Sequence, residues 1–266
     1  MSEENTQFYG RFDDDSPNTN RNKPFVEQSD SAGYSIAKVF GYMAIFILVT
    51  ALITIGLGVG LNYWLLSATT EEELVQLAET IVVLLIVAGV GLLVTTIVSQ
   101  VVFLKGKHSV VVPAIIYAAL MGIVIGLVAA LINDWAILGV TFGITAGVFG
   151  IMALIGLLSK GRLTALGLIG MGLMFGAMFI SLFMIIIMIF FPSLYEWYYW
   201  IVSFMMFAAV MFMTIYDISH IKALAANGAL NKNLSMYLAF NLYVDFIYLF
   251  MRILMIVIRI FGRSRS

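Results

Sequence analysis

The chain has 266 residues, of which 62% are hydrophobic and only 11% are charged, and its formal net charge is -1. Soluble domains usually carry about 25% charged residues, so this composition predicts a polytopic membrane protein and offers no basic surface for nucleic acid. With no cysteine and only two histidines, the chain also lacks the residues for disulfides, iron–sulfur clusters or a histidine-rich catalytic metal site.

Residues 1–34 are polar, rich in Asn, Asp and Ser, and include an acidic run at 13–15. Such a composition cannot bury enough apolar surface to fold. It also lacks the short apolar core and cleavage site of a secretory signal. We therefore expect a disordered polar cytoplasmic tail over 1–34, with a partner-binding segment as the alternative.

Seven apolar segments follow, each long enough for the ~20 residues that span a bilayer as a helix. Their approximate limits are 36–64, 80–104, 110–132, 135–159, 163–191, 197–219 and 234–261. Because the strands of a membrane barrel would alternate apolar and polar residues, these continuous runs predict helices. The expected fold class is an all-α polytopic membrane protein. Its seven-helix transmembrane domain covers 35–261, and a short basic tail covers 262–266.

The loop charges predict an orientation. The breaks after segments two, four and six contain Lys105 and Lys107, Lys160 and Arg162, then Lys222 and Lys232. The breaks after segments one, three and five contain only acidic charges. Because short cytoplasmic loops carry the excess of Lys and Arg, the N-terminus is expected in the cytoplasm. Three arginines at the C-terminus oppose a full seventh crossing, so a re-entrant last segment is the alternative. The full crossing is favoured because the segment is long enough.

Glycines recur at a spacing of four residues, at Gly122–Gly126, Gly143–Gly147 and Gly172–Gly176. In lipid, such pairs let helix backbones approach closely. They predict helix packing within one bundle, with a dedicated dimer face as the alternative.

Two carboxylates lie in otherwise apolar sequence. Asp217 is near the end of segment six, and Asp245 is about eleven residues into segment seven. An ionisable group at membrane depth is energetically costly and therefore indicates a functional site. The alternatives are a water-solvated interfacial carboxylate for Asp217 and a simple polar contact between helices for Asp245.

The short connection between segments six and seven makes them antiparallel neighbours, so the two carboxylates could meet. Two carboxylates in a low-dielectric site cannot both ionise cheaply, so one of them would hold a proton. The pair would then be a proton sensor or a site for a hard cation such as calcium. Calcium prefers oxygen ligands, and Asp217 and Asp245 would supply some of them. Arg252 lies two helical turns after Asp245. It is a candidate charge partner, or it extends to the outer interface.

Three stretches of the chain match one pattern. They are the Tyr-Asp step at 216–217, the run LYVDFIYLF at 242–250 followed by RIL at 252–254, and the region 145–177. Together they resemble the Bax inhibitor-1 family, the transmembrane Bax inhibitor motif proteins, in its bacterial form. The resemblance covers all seven segments.

The resemblance implies a seven-helix fold with helix seven in the centre of the bundle. It also implies a pH-sensitive calcium leak in which a di-aspartyl pair, here Asp217 and Asp245, controls closure at the cytoplasmic end of the pore. A cation/proton exchanger gated by the same pair is a related expectation. Three departures from the family pattern predict that the di-aspartyl pair has different partners here or responds less to pH. Residues 80–104 lack the arginine that often engages the pair in bacterial relatives, 110–132 lack an acidic residue, and Tyr248 replaces the usual Asn.

Two other function classes are compatible with a polytopic membrane protein. An intramembrane aspartyl protease would need Gly-x-Gly-Asp and a Pro-Ala-Leu loop, and both are absent, so no enzyme is expected. The second class is a non-transporting regulator of a membrane protease or of a stress or cell-death pathway. The sequence does not distinguish this regulator from a channel, whereas a flux assay does. No cofactor is expected. The expected partners are the lipid bilayer, calcium ions and protons, with any protein partner unidentified. The lack of a visible eukaryotic targeting signal favours a bacterial plasma membrane over the endoplasmic reticulum.

Overall fold

A computed structural model describes residues 25–68, 70–105, 110–132, 134–159 and 163–263. Every regular element within these ranges is helical, which confirms the all-α fold class. The helices are α1 (Phe25–Ser67), α2 (Glu71–Lys105), α3 (Val111–Ile132), α4 (Trp135–Leu158), α5 (Thr164–Leu182), α6 (Met184–Phe190), α7 (Tyr195–Ala226) and α8 (Lys232–Arg263). A single 3-10 turn, Pro192–Leu194, joins α6 to α7.

Several sequence predictions fall outside the described residues. These are residues 1–24 of the predicted tail, Lys107, Lys160 and Arg162 of the cationic breaks, and 264–266 of the C-terminal tail. Helix α1 begins at Phe25, so the last ten residues assigned to the tail, 25–34, are helical. The predicted segment five is divided into α5 and α6, with the break at Phe183.

Among the described residues, six helices are long and apolar enough to cross a membrane, namely α1 to α5 and α7. The chain is therefore an integral, multi-pass membrane protein. The seventh crossing expected from the sequence is not confirmed, because α8 is not among the six. Helix α8 segregates its polar and apolar residues to opposite faces more strongly than the other long helices do. It also carries Asp245 and Arg252 within its apolar sequence.

Helix α8 packs against α1, α4 and α7 and also reaches α2 and α3. Leu242, Tyr243, Leu249 and Leu254 on α8 are almost completely buried. A helix that contacts five others lies in the middle of the bundle, which is the position that the resemblance implies for helix seven.

A tight turn places α7 beside α8. Gly228 adopts a φ of 68°, in the left-handed region that favours glycine at a helix C-terminus. Its N–H donates to Ala225 O over 3.1 Å. The side-chain oxygen of Asn231 accepts a hydrogen bond from Leu234 N over 2.8 Å and so caps the start of α8. These local signals end one helix and begin the next within a few residues.

The glycine pair Gly122–Gly126 packs α3 closely against α1. A Cβ on Gly122 would lie 2.8 Å from Thr50 O, and one on Gly126 would lie 3.2 Å from Thr54 O. The approach is close enough for Thr54 Oγ1 to donate to Gly122 O over 3.2 Å. Packing within the bundle is therefore confirmed for this pair.

Of the four glycines in the other two pairs, only Gly176 meets another helix in the described chain: a Cβ there would lie 3.6 Å from Met205 of α7, an ordinary van der Waals contact. A Cβ would find no atom within 4 Å at Gly143, Gly147 or Gly172. For these positions the prediction of packing within the bundle is wrong. Helix α5 instead approaches α7 through Gly167 and Gly170, where a Cβ would lie 2.9 Å from the Tyr216 ring and 3.0 Å from Met213.

Candidate functional site

The structure brings together the two carboxylates that the sequence singles out. The side chains of Asp217 on α7 and Asp245 on α8 lie close enough to each other to interact directly. Both side chains are half-buried between the two helices. The contact follows from the tight turn that sets α7 beside α8.

A hydrogen bond between two carboxyl groups requires a proton on one of them, because an ionised carboxylate can only accept. A hydrogen bond between Asp217 and Asp245 would therefore need at least one proton on the pair. Groups this close titrate as a unit, so the proton belongs to the pair and not to either residue.

Thr214 is a third member of the site, which the sequence analysis missed. It is fully buried on α7, and its Oγ1 lies 3.3 Å from Asp245 Oδ2 and 2.8 Å from Val210 O. A hydroxyl has one proton to donate and two lone pairs to accept with. Thr214 can thus donate to an ionised Asp245 or accept from a protonated one. Its position three residues before Asp217, on the same helical face, is the signal that could have identified it.

Helices α4 and α5 hold the Asp217 region of α7 in place. A Cβ on Gly156 of α4 would lie 2.9 Å from Ile218, and one on Gly167 of α5 would lie 2.9 Å from Tyr216. Both residues that flank Asp217 are therefore packed against glycine on a neighbouring helix. A bulkier residue at either glycine would move this part of α7.

The lysine nearest to the pair along α7 is engaged elsewhere. Lys222 Nζ donates to Leu157 O over 2.6 Å and to Ser159 O over 2.9 Å. These carbonyls are at the C-terminus of α4, where a cation is favoured by the helix dipole. Lys222 therefore ties α7 to the end of α4.

Arg252, the candidate charge partner, is half-buried on α8. Within the part of the chain that the structure describes, it forms no ion pair with Asp217 or Asp245. The other arginine of this region, Arg259, lies 3.6 Å above the ring of Tyr199 on α7. The role of Arg252 at the pair stays a prediction.

Helix α2 contacts α8 away from the pair. Gln100, the most polar side chain in the apolar part of α2, accepts a hydrogen bond from Tyr237 OH over 3.0 Å. The ring of Tyr237 also stacks on Phe103 with 3.8 Å between centroids. Gln100 thus does not take the place of the arginine that relatives often carry in this helix.

The described residues contain no group of three or more histidine and acidic side chains that could hold a metal ion. Calcium takes 6–8 oxygen ligands. Asp217 and Asp245 with the Thr214 hydroxyl offer only part of such a shell, so most ligands would be carbonyls or water.

Comparison with known proteins gives one match. The family model described as "Inhibitor of apoptosis-promoting Bax1" matches residues 34–265, which is almost the whole chain and includes all the residues of the site. No curated protein and no solved structure matches the chain.

Proposed function

The chain belongs to the Bax inhibitor-1 family, and on that premise we propose that it is a pH-sensitive calcium leak channel, or a cation/proton exchanger, gated by Asp217 and Asp245. The observation that carries the proposal is the direct contact of the two carboxyl side chains between α7 and α8, with Thr214 Oγ1 3.3 Å from Asp245 Oδ2. No enzymatic step is proposed.

The protonation state of the pair would set how firmly α7 and α8 are held together. With one shared proton, the contact is a charge-assisted hydrogen bond, roughly twice as strong as a neutral one. With two protons, only a neutral bond remains. With none, two negative charges face each other and repel. The single-proton state is therefore the closed one, and both acidification and loss of the last proton favour opening.

Calcium would compete with the shared proton for the same oxygens. A divalent cation between the carboxylates removes their repulsion as the proton does, but it draws its further ligands from water and carbonyls. Binding of calcium would thus release the proton. Because calcium and the proton compete for the same oxygens, the proposal includes a cation/proton exchanger as well as a simple leak channel.

We also propose that α8 crosses the membrane completely, as a seventh span. It has 32 residues, or about 48 Å at 1.5 Å per residue, against ~30 Å for the hydrocarbon core. The position of Lys and Arg in the loops supports a cytoplasmic N-terminus, and a bacterial plasma membrane is the proposed location. The carboxylate pair would then lie toward the cytoplasmic side.

A second candidate is a non-transporting regulator. The description of the matching family model names inhibition of a protein that promotes apoptosis. That wording favours a role in a stress or cell-death pathway, in which the carboxylate pair would only stabilise the contact between α7 and α8.

Calcium uptake into proteoliposomes loaded with a calcium dye tests the proposal. We expect uptake above that of empty liposomes for the wild type and altered uptake for the double variant Asp217→Asn/Asp245→Asn. The variant Glu72→Gln removes an exposed carboxylate on α2 and is the matched control for the loss of charge. Absence of uptake at any pH in correctly folded protein would leave only the regulator.

A further inference from the structure

An apolar cleft opens between α1 and α4, with α8 as its floor. Ala51 and Ile55 of α1 form one wall, Gly139 and Phe142 of α4 form the other, and Phe246 of α8 lies at the base. The four wall residues are all exposed, so the cleft is open to the side of the bundle. Because α1 and α4 are both membrane-spanning in length and composition, this side is a surface that lipid covers.

The lining is predominantly apolar. Its polar groups are the hydroxyls of Thr50 and Thr54 and the indole N–H of Trp135 at one end. Thr50 Oγ1 lies 3.0 Å from Phe46 O and 2.6 Å from Tyr243 OH, and Thr54 Oγ1 donates to Gly122 O. Both hydroxyls already have hydrogen-bond partners. They would therefore not replace the hydration that an ion or a water molecule loses on leaving bulk water.

The cleft has a closed end and a definite size. Trp135, at the start of α4, reaches across to α1, where a Cβ on Gly58 would lie 2.8 Å from the indole. The volume is about 310 Å³. An apolar cavity of about 150 Å³ holds one benzene molecule, so this space accommodates on the order of a dozen carbon atoms in a chain.

We propose that the cleft binds one acyl chain of a bilayer phospholipid. The walls continue without a break into the lipid-facing surfaces of α1 and α4, and the lining is predominantly apolar, with both threonine hydroxyls already hydrogen-bonded. A tail seated there would lie against Phe246, the residue that follows Asp245 on α8. The inference does not depend on calcium transport, because it rests on a different part of the bundle.

The test is retention of phospholipid by protein purified in detergent, measured by native mass spectrometry. Gly139→Leu and Ala51→Leu each place a larger side chain in the cleft, one from each wall. Gly143→Leu adds the same side chain to α4 one turn further along, at a position outside the cleft where a Cβ would meet nothing within 4 Å. We expect wild type and Gly143→Leu to retain a phospholipid and both cleft variants to lose most of it.

A second measurement uses Trp135 as a reporter. With Trp64, Trp197 and Trp200 replaced by phenylalanine, Trp135 is the only tryptophan of the chain. Phospholipid with brominated acyl chains, added to the detergent-solubilised protein, should quench Trp135 at low lipid-to-protein ratio, and Gly139→Leu should weaken this quenching. Equal retention and equal quenching in the cleft variants and in Gly143→Leu would overturn the proposal, as would a wild type that retains no phospholipid and shows no quenching.

Discussion

Asparagine in place of Asp245 preserves the shape of the side chain and its ability to hydrogen-bond, but removes one of the two titrating groups. In the wild type, two ionised carboxylates at a hydrogen-bonded separation of about 3 Å would repel by about 5 kcal/mol at an effective dielectric constant of about 20. At 1.36 kcal/mol per factor of ten, this disfavours the fully ionised pair by more than about a thousandfold. Since an ordinary aspartate favours ionisation at neutral pH by about a thousandfold, the repulsion offsets this preference, and we expect a large share of the wild-type pair to keep one proton. In Asp245→Asn, the amide N–H donates to Asp217, which ionises without that repulsion.

Infrared difference spectroscopy tests the protonation of the pair directly, because a protonated carboxyl group has a carbonyl stretch that an ionised one lacks. We expect the protonated band at neutral pH in the wild type and in the exposed control Glu72→Gln, and its loss in Asp245→Asn. The energy argument would be refuted by a wild type with no protonated band at neutral pH, or by a band that Asp245→Asn leaves unchanged.

Three further predictions concern stability. Lys222→Met should lower the free energy of unfolding by about 1.5–3 kcal/mol, because it removes charge-assisted hydrogen bonds to α4. The control Lys232→Met removes an exposed lysine and should change the free energy of unfolding by less than about 0.5 kcal/mol. Equal melting temperatures for the two variants would contradict the role of Lys222 as a cap of α4. Gly122→Ala should lower the free energy of unfolding by about 1–3 kcal/mol, because the added Cβ would meet a backbone oxygen of α1. The control Gly143→Ala should not lower it. Equal melting temperatures for the two variants would show that the α1–α3 contact is looser than described. Tyr243→Phe should cost about 1 kcal/mol through loss of its hydrogen bond to α1, and chemical denaturation of the two proteins should show this loss without a change in slope.

The proximity of Asp217 and Asp245 can be anticipated from the sequence because it depends on only two facts. Asp217 and Asp245 are costly in apolar sequence, and a short connection forces their helices to be neighbours. Thr214 was missed because a threonine is common in membrane helices and has no charge to mark it. Only the rotation of α7 relative to α8 decides that its hydroxyl meets Asp245.

The glycine pairs show the limit of pattern reasoning. The same four-residue spacing occurs on α3, α4 and α5, but among the described residues only the Gly122–Gly126 pair packs both of its glycines against another helix. Which face of a helix is turned inward depends on the packing of the whole bundle, and no local pattern records it. For the same reason, Lys222 was read only as a loop charge, although its position also caps α4.

The most direct test of the central claim is the pH profile of calcium flux into dye-loaded proteoliposomes, from mildly acidic to mildly alkaline pH. The samples are wild type, Asp217→Asn, Asp245→Asn, the double variant and Glu72→Gln. The account predicts pH-dependent flux in the wild type and in Glu72→Gln, a flatter profile in each single aspartate variant, and no pH dependence in the double variant. A double variant with the same pH profile as the wild type would show that Asp217 and Asp245 do not gate the protein.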